Sequence, residues 1–470
     1  KAVRLLEPRR VNGVRQAVHP VTGTVYPASL IGAIAPGVGD DANGLVVAAR
    51  DTSYPRSLID NRGVHFGPRI GFAYDPFGKG NTAIRGGFGM FYNRQNLDAV
   101  LNPFTTQAPL VQNPVITFGT LSTLLSSSGL LSPQNILGID QAGHVPTVMN
   151  FSMSVQHKVG YGTVVDVGYS GSLARHLMWQ RNINSIPFGA NFDPRNADAS
   201  ANNVPLPQAF LRPIIGYNNI NMREWASSSN YHSLQVSANR RFATGLQFGA
   251  SWTWSKALDY NDNDTDGVSV LVPVRVWNYG LASFDRTHVL KLNWVWDVPK
   301  TSLRGPAGFV VNDWQVSGIT SFVSGQPLAI GYSTTTAVDI TGSPTDGARV
   351  VLLDDPNLAK SERTFSRNFR TDVVRLPARG TVGNAAKNNI RGPGINNWDI
   401  ALFKNFPIYK ERVRMQFRTE LYNAFNHTQF SGLDTGARFD PQGNQVNARL
   451  GEFTASRAPR IIQFALRLYF

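Results

Sequence analysis

Residues 460–470 read RIIQFALRLYF, and no other stretch narrows the possible folds as far. Ile462, Phe464, Leu466, Leu468 and Phe470 fall on one side of an extended strand, while Gln463, Ala465 and Arg467 fall on the other. One face is oily and the other is not. A strand of this kind lays its apolar side either on a packed core or on lipid, so the rest of the chain must decide between them.

The same alternation recurs upstream. Ile70, Phe72 and Tyr74 alternate with Arg69, Gly71 and Ala73, and a short turn of sequence PFGKGN leads to Ile84, Phe88, Met90 and Tyr92 on one face of a partner strand. Further pairs of strands are expected near 151–158 and 163–170, 233–239 and 246–255, 290–297 and 314–323, and 397–402 and 413–421. The connections alternate short and long through about eleven strands. Brief turns at one end and extended loops at the other are the asymmetry of outer-membrane barrels, and a soluble sandwich has no reason to keep it. The expected fold class is therefore all-β, an antiparallel transmembrane β-barrel. On the strand parity, residues 1–66 form an extracellular loop region, read as irregular to about Val64, and 67–470 form the barrel portion.

Composition agrees. Charged residues make up only 16% of the 470, and 43 glycines with 28 prolines disfavour long helices and favour many strands joined by turns. Cysteine is absent, which removes disulfides, thiolate metal sites and a cysteine nucleophile. The net charge of +14 is compatible with phosphate binding, but the basic residues are spread along the chain and no recognition helix accompanies them, so no nucleic-acid partner is expected. The start, KAVRLLEPRR, has no secretory-signal pattern. An odd number of strands leaves two unpaired edges, so the reading expects an N-terminal piece to be missing, with its signal peptide.

The segments GPRIGFAYDPFGKGNTAIRGGFGMFY (67–92), NYHSLQVSANRRFATGLQFGASWTWSKALD (230–259), FDRTHVLKLNWVWDVP (284–299) and RMQFRTELYNAFNHTQF (414–430) resemble the barrel of TonB-dependent receptors, specifically the Oar-like branch whose members carry a carboxypeptidase-regulatory-like domain. The aromatic ending, with Phe464, Leu466, Leu468 and Phe470 facing one way, is similar to the closing strand of such barrels. The resemblance implies a 22-stranded barrel in the cell outer membrane of a Gram-negative bacterium, of which this is the C-terminal portion. It also implies a plug, absent from this sequence, through which a TonB complex drives uptake of a scarce ligand. Outer-membrane lipid, the TonB complex and an unidentified ligand are the partners it implies. A structural or adhesive barrel that transports nothing, and a barrel hydrolase, are the rival readings.

Arg412, Arg414, Arg418 and Glu420 share the non-lipid face of one strand, with Gln463 and Arg467 on that face of the last. They would either hydrogen-bond a plug and line the path of an anionic ligand, or form a salt-bridged interior. Asp262, Asp264 and Asp266 match the opening of a calcium loop, but its twelfth position is Pro273 rather than a bidentate Glu, so a solvated acidic cluster competes with a Ca²⁺ site. Trp252, Trp254, Trp294 and Trp296 sit at lipid-side positions that suit interface anchoring better than a sugar platform. No H-E-x-x-H, G-x-S-x-G or P-loop occurs and isolated histidines such as His157 and His288 suggest no catalyst, so neither an enzyme nor a cofactor is expected. Ligand capture falls to the long loops near 94–145, 182–229 and 326–396.

Overall fold

The computed structural model describes residues 2–40, 42–46, 51–93, 102–114, 116, 120, 122, 129–409 and 413–470. Its main element is an antiparallel sheet whose eleven wall strands follow in chain order: β1 (Arg69–Tyr74), β2 (Thr82–Tyr92), β3 (Thr147–Gly160), β4 (Thr163–Asn182), β5 (Tyr217–Ala243), β6 (Leu246–Asp259), β7 (His288–Asp297), β8 (Trp314–Val323), β9 (Ile395–Tyr409), β10 (Val413–Tyr422) and β11 (Ile461–Tyr469). Each pairs with its sequence neighbours, and β1 and β11 are the two edges. Helix is confined to short pieces such as Gln208–Leu211, Val274–Asn278 and Gly305–Val311.

Two rows of side chains explain why these residues form this sheet. Tyr74, Ile84, Val155, Val167, Val236, Trp252, Leu290 and Phe322 are successive cross-strand partners from β1 to β8, an unbroken apolar row. One position along runs a row on the other face, Gln156, Asp166, Ser237, Ser251, Lys291, Ser321 and Asn397, polar throughout. Because side chains alternate, register fixes both rows together, and a one-residue slip would exchange them. Apolar side chains on this face stay exposed: Phe464 by 66%, Leu466 by 65% and Phe72 by 55%. Water would penalise so extended an oily surface, whereas hydrocarbon would not. Glycines stand opposite three of the rings, so that Phe72, Phe151 and Trp294 lie over Gly86, Gly171 and Gly318, their direct partners.

The short connections use turn chemistry that matches strand twist. Tyr161 (φ 49°) with Gly162 (φ 69°), and Thr244 (φ 50°) with Gly245 (φ 76°), are left-handed pairs joining β3 to β4 and β5 to β6. The Asp75 carboxylate accepts from the amides of Phe77, Gly78 and Gly80 and so closes the β1–β2 turn.

At the opposite end the long connections fold. Residues 324–394, between β8 and β9, and 423–460, between β10 and β11, share a core in which Phe439, Val350, Phe369 and Val374 are at most 1% exposed. Gly331–Thr334 pairs in parallel with Gly436–Phe439 across the two loops. Gly383 (φ 75°) is required where the chain passes Arg349, since a Cβ there would lie 1.9 Å from the Arg349 carbonyl oxygen.

Three expectations are corrected. The stretch read as irregular to about Val64 contains a three-stranded sheet, Glu7–Val11, Val14–Val18 and Val25–Tyr26, over a core of Leu6, Ala17, Ala33 and Ala35. The loop expected to run to Ser229 ends at Tyr217, where β5 begins; its extra residues pair with the end of β4 and, in parallel, with Gln134–Ile139. The stretch 326–396, read as a plain loop, holds several short strands and the larger part of the loop core.

Candidate functional site

Two regions carry the polar chemistry: the non-apolar face of the last wall strands, and the loop cap. On the wall, Arg414, Gln416, Arg418 and Glu420 of β10 lie opposite Tyr469, Arg467, Ala465 and Gln463 of β11. The register puts Arg414, Arg418, Glu420, Gln463 and Arg467 on one face, whereas Arg412 lies outside the described residues. Among the described residues these side chains are held by hydrogen bonds and ring contacts. Arg418 donates to the Gln416 Oε1 at 2.6 Å and to the Tyr469 hydroxyl at 3.0 Å, and the Gln416 amide donates to Asn405 at 2.9 Å. The Arg414 guanidinium sits 4.5 Å from the Tyr469 ring centroid, and that of Arg418 5.2 Å from the Phe403 ring. Among the described residues, no ion pair joins any of these arginines to Glu420, whose carboxylate accepts from Tyr422 at 3.3 Å. Tyr469 and Phe403 stack on the faces of Arg414 and Arg418, while the N–H edge of Arg418, which a carboxylate would otherwise hold, goes to Gln416 and the Tyr469 hydroxyl.

On the other face, Phe464, Leu466 and Leu468 oppose Thr419, Phe417 and Met415, and the Phe417 and Phe464 rings stack at 6.0 Å.

The cap is tied to the wall through charges that spacing alone could not reveal. Lys387, from the β8–β9 loop, places its ammonium 2.6 Å from Asp259, the last residue of β6, and 3.6 Å from Asp262. Arg391 from the same loop meets Asp285 at 2.7 Å, and that carboxylate is 1% exposed. Arg349 stacks over Trp277 at 4.1 Å and donates to its carbonyl at 2.7 Å; burial lowers the Arg349 pKa. Arg370 lies 2.6 Å from Asp354, and its hydrogen bond holds that carboxyl below the usual value of 3.8. The pairs at Asp259 and Asp285 are buried, and low-dielectric pairing of this kind is strong only while both partners stay in place; the Arg370–Asp354 pair is exposed.

The acidic stretch is part of the same rim. Asp266 accepts from the amides of Asp262 and Asn263 at 3.2 and 2.9 Å, closing its own turn, and Asp262 accepts from the Ser283 amide at 2.9 Å. No group of three metal-binding side chains is assembled among the described residues. Trp252 lies flat against His288, at 5.9 Å and an interplanar angle of 7°, at the long-loop end of the apolar face.

The N-terminal sheet docks on the β4–β5 connection. Arg15 reaches Asp198 at 2.7 Å and Arg10 the Ser200 carbonyl at 3.1 Å. Burial pushes the Asp198 pKa up, but the Ser200 hydroxyl, Arg15 and the Ser200 amide outweigh it, and the net shift is downward.

A paired apolar and polar face on an eleven-strand meander is a membrane wall. Residues 14–463 match the outer membrane beta barrel domain family, and the chain belongs to that family. It is thus an outer-membrane β-barrel protein of Gram-negative type. Among curated proteins none matches the sequence. Similar solved structures include the outer membrane transporter YddB from Escherichia coli (10% identity, TM-score 0.42, covering 84% of this chain and 39% of that one). The FrpB iron transporter from Neisseria meningitidis, F3-3 variant, gives 9% identity and a TM-score of 0.36 over 86% of this chain and 39% of that one. BauA, the ferric preacinetobactin receptor from Acinetobacter baumannii, gives 10% and 0.38 over 86% and 36%. The chain thus spans less than two-fifths of the length of each of these structures.

Proposed function

We propose that the chain supplies barrel wall and ligand-capture loops to a TonB-dependent outer-membrane receptor of the Oar-like branch. The apolar row meets lipid, the polar row and the Arg414–Arg418–Glu420 face meet the lumen, and the folded long loops lie outside the cell. The observation that carries this reading is that one end of a membrane wall has short connections, two residues each at β3–β4 and β5–β6 and at most sixteen at β7–β8, while the other carries loops packed into a cap with its own core. A rigid scaffold that presents large folded loops on one side is suited to recognition. The wall face offers hydrogen bonds and cation–π contacts, so its role is binding and passage rather than bond cleavage. The expected transport partner is a TonB complex acting through a plug, and the resemblance of 67–92, 230–259, 284–299 and 414–430 to receptor barrels supports it.

The test uses the full-length gene product in its host. Deleting the gene and deleting TonB should cause the same growth defect, and re-expression lacking residues 327–391 should leave it uncorrected. Rescue by the wild-type gene in cells without TonB would sink the reading in favour of a non-transporting barrel. Since the chain has no cysteine, single cysteines at Asp354 and at Tyr161 test orientation cleanly. A membrane-impermeant maleimide should label the first and spare the second on intact cells.

A further inference from the structure

Where the long-loop end of the apolar face meets the cap, a groove of about 1000 Å³ opens. Trp252, Leu290 and Phe322, the last three members of the apolar row, form its floor. Phe365 and Phe430 of the two cap loops overhang it, at 5.6 Å from each other. Lys360 and Arg363 stand on the same overhang. Lys360 is exposed and has neither an ion pair nor a hydrogen bond among the described residues, and Arg363 spends only its Nε, on the Leu358 carbonyl at 3.2 Å. The nearby Glu362 carboxylate turns away to the Ala359 amide at 3.3 Å and does not line the groove.

The groove therefore offers two chemistries side by side: an oily floor continuous with the exposed apolar face, and two cations above its outer end that no carboxylate holds, the third lining cation, Arg391, being paired with Asp285. A free anion would use the cations and leave the floor uncovered; a neutral hydrocarbon would do the reverse. We propose that the groove holds one lipid of the surrounding outer leaflet, its acyl chains on Trp252, Leu290 and Phe322 and its headgroup phosphate between Lys360 and Arg363. Basic side chains at the edge of a membrane-facing surface bind anionic headgroups by charge and hydrogen bonding together. The assignment rests on the apolar face meeting lipid, which a charge at Leu466 tests separately: a tolerated charge there overturns the facing, whatever the groove binds.

The experiment reconstitutes the full chain in nanodiscs of zwitterionic phospholipid doped with a diphosphorylated glycolipid of the lipid A type, and counts retained lipid by native mass spectrometry. The wild type should carry a single phosphorylated lipid, and K360E/R363E should retain it at least about thirtyfold less, the scale expected for losing two surface cations. K360R/R363K should keep it, which separates lost charge from misfolding. Millimolar inorganic phosphate should not displace it, and the same glycolipid without phosphates should be retained as weakly as in the charge-reversed variant. Equal retention by K360E/R363E, equal retention of the phosphate-free lipid, or displacement by phosphate alone would each overturn the proposal.

Discussion

Lys404 stands directly opposite Trp314 on the apolar face, yet it is only 2% exposed. Its ammonium lies 5.5 Å from the Trp314 ring, 5.3 Å from Phe406 and 5.9 Å from Phe309, and it donates to the Asn312 carbonyl. The helix Gly305–Val311, in the β7–β8 connection, brings Phe309 over it. A cation on an oily strand is thus drawn to the short-turn rim and roofed by aromatics.

Replacing Lys404 with Met should destabilise the wall by about 1–3 kcal/mol, from the lost charged hydrogen bond and cation–π contacts. Urea unfolding in lipid vesicles measures it. Unchanged stability would mean that the cage is decorative.

Leu466→Arg should cost about 2–4 kcal/mol if Leu466 lies near the bilayer midplane, while Gln463→Lys should be tolerated. The readout is the folded fraction after refolding into vesicles. Equal penalties at the two positions would contradict the facing assignment.

The Lys387–Asp259 pair should behave as a buried latch. Lys387→Met alone leaves the Asp259 carboxylate, 3% exposed, without its ammonium. That should cost about 3–5 kcal/mol, and Lys387→Met with Asp259→Asn should recover most of it. Hydrogen exchange across residues 327–391 reports the release. Exchange in the single variant equal to that of the wild type would show that the cap is held by its core alone.

Asp198 predicts how the N-terminal sheet responds to acid. Its folded pKa is below the ordinary 3.8, so its pairing with Arg15 is fully present above that value and is lost as pH falls through the lowered one. Protease cleavage within residues 2–40 should stay slow at neutral pH and accelerate below the carboxylate range. Asp198→Asn should be cleaved faster already at neutral pH. A variant indistinguishable from wild type at both pH values would remove Asp198 from the docking.

The wall is legible in sequence because lipid on one side and a polar environment on the other force a period of two, and Trp252 against Ser251 or Leu466 against Gln463 records it residue by residue. That pattern fades in the first half of β5: Tyr217, Ile220, Arg223 and Trp225 are all buried although Ile220 falls on the opposite side of the strand from the other three, because protein covers both faces. The cap was unreadable for a related reason. Val350, Phe369, Val374 and Phe439 come from distant segments, each too short to show any period. One signal in the N-terminal sheet is local: Asn12 (φ 51°) and Gly13 (φ 81°), between Val11 and Val14, form a hairpin turn that the Asn-Gly pair announces. Alternation puts Arg414 and Arg418 on one face of β10, but their partners are not legible there, since Phe403 and Tyr469 belong to other strands.

Every wall strand finds its partners immediately before and after itself along the polypeptide, with no crossover within the path from β1 to β11. Such a wall can be zipped up one hairpin at a time, with no step in which a segment must thread past others already seated, and short-range closure keeps the entropic barrier of each step low. It also means that gaining or losing a hairpin at an edge leaves the register of the remaining strands untouched, so barrels of different girth can be reached from one another in two-strand increments.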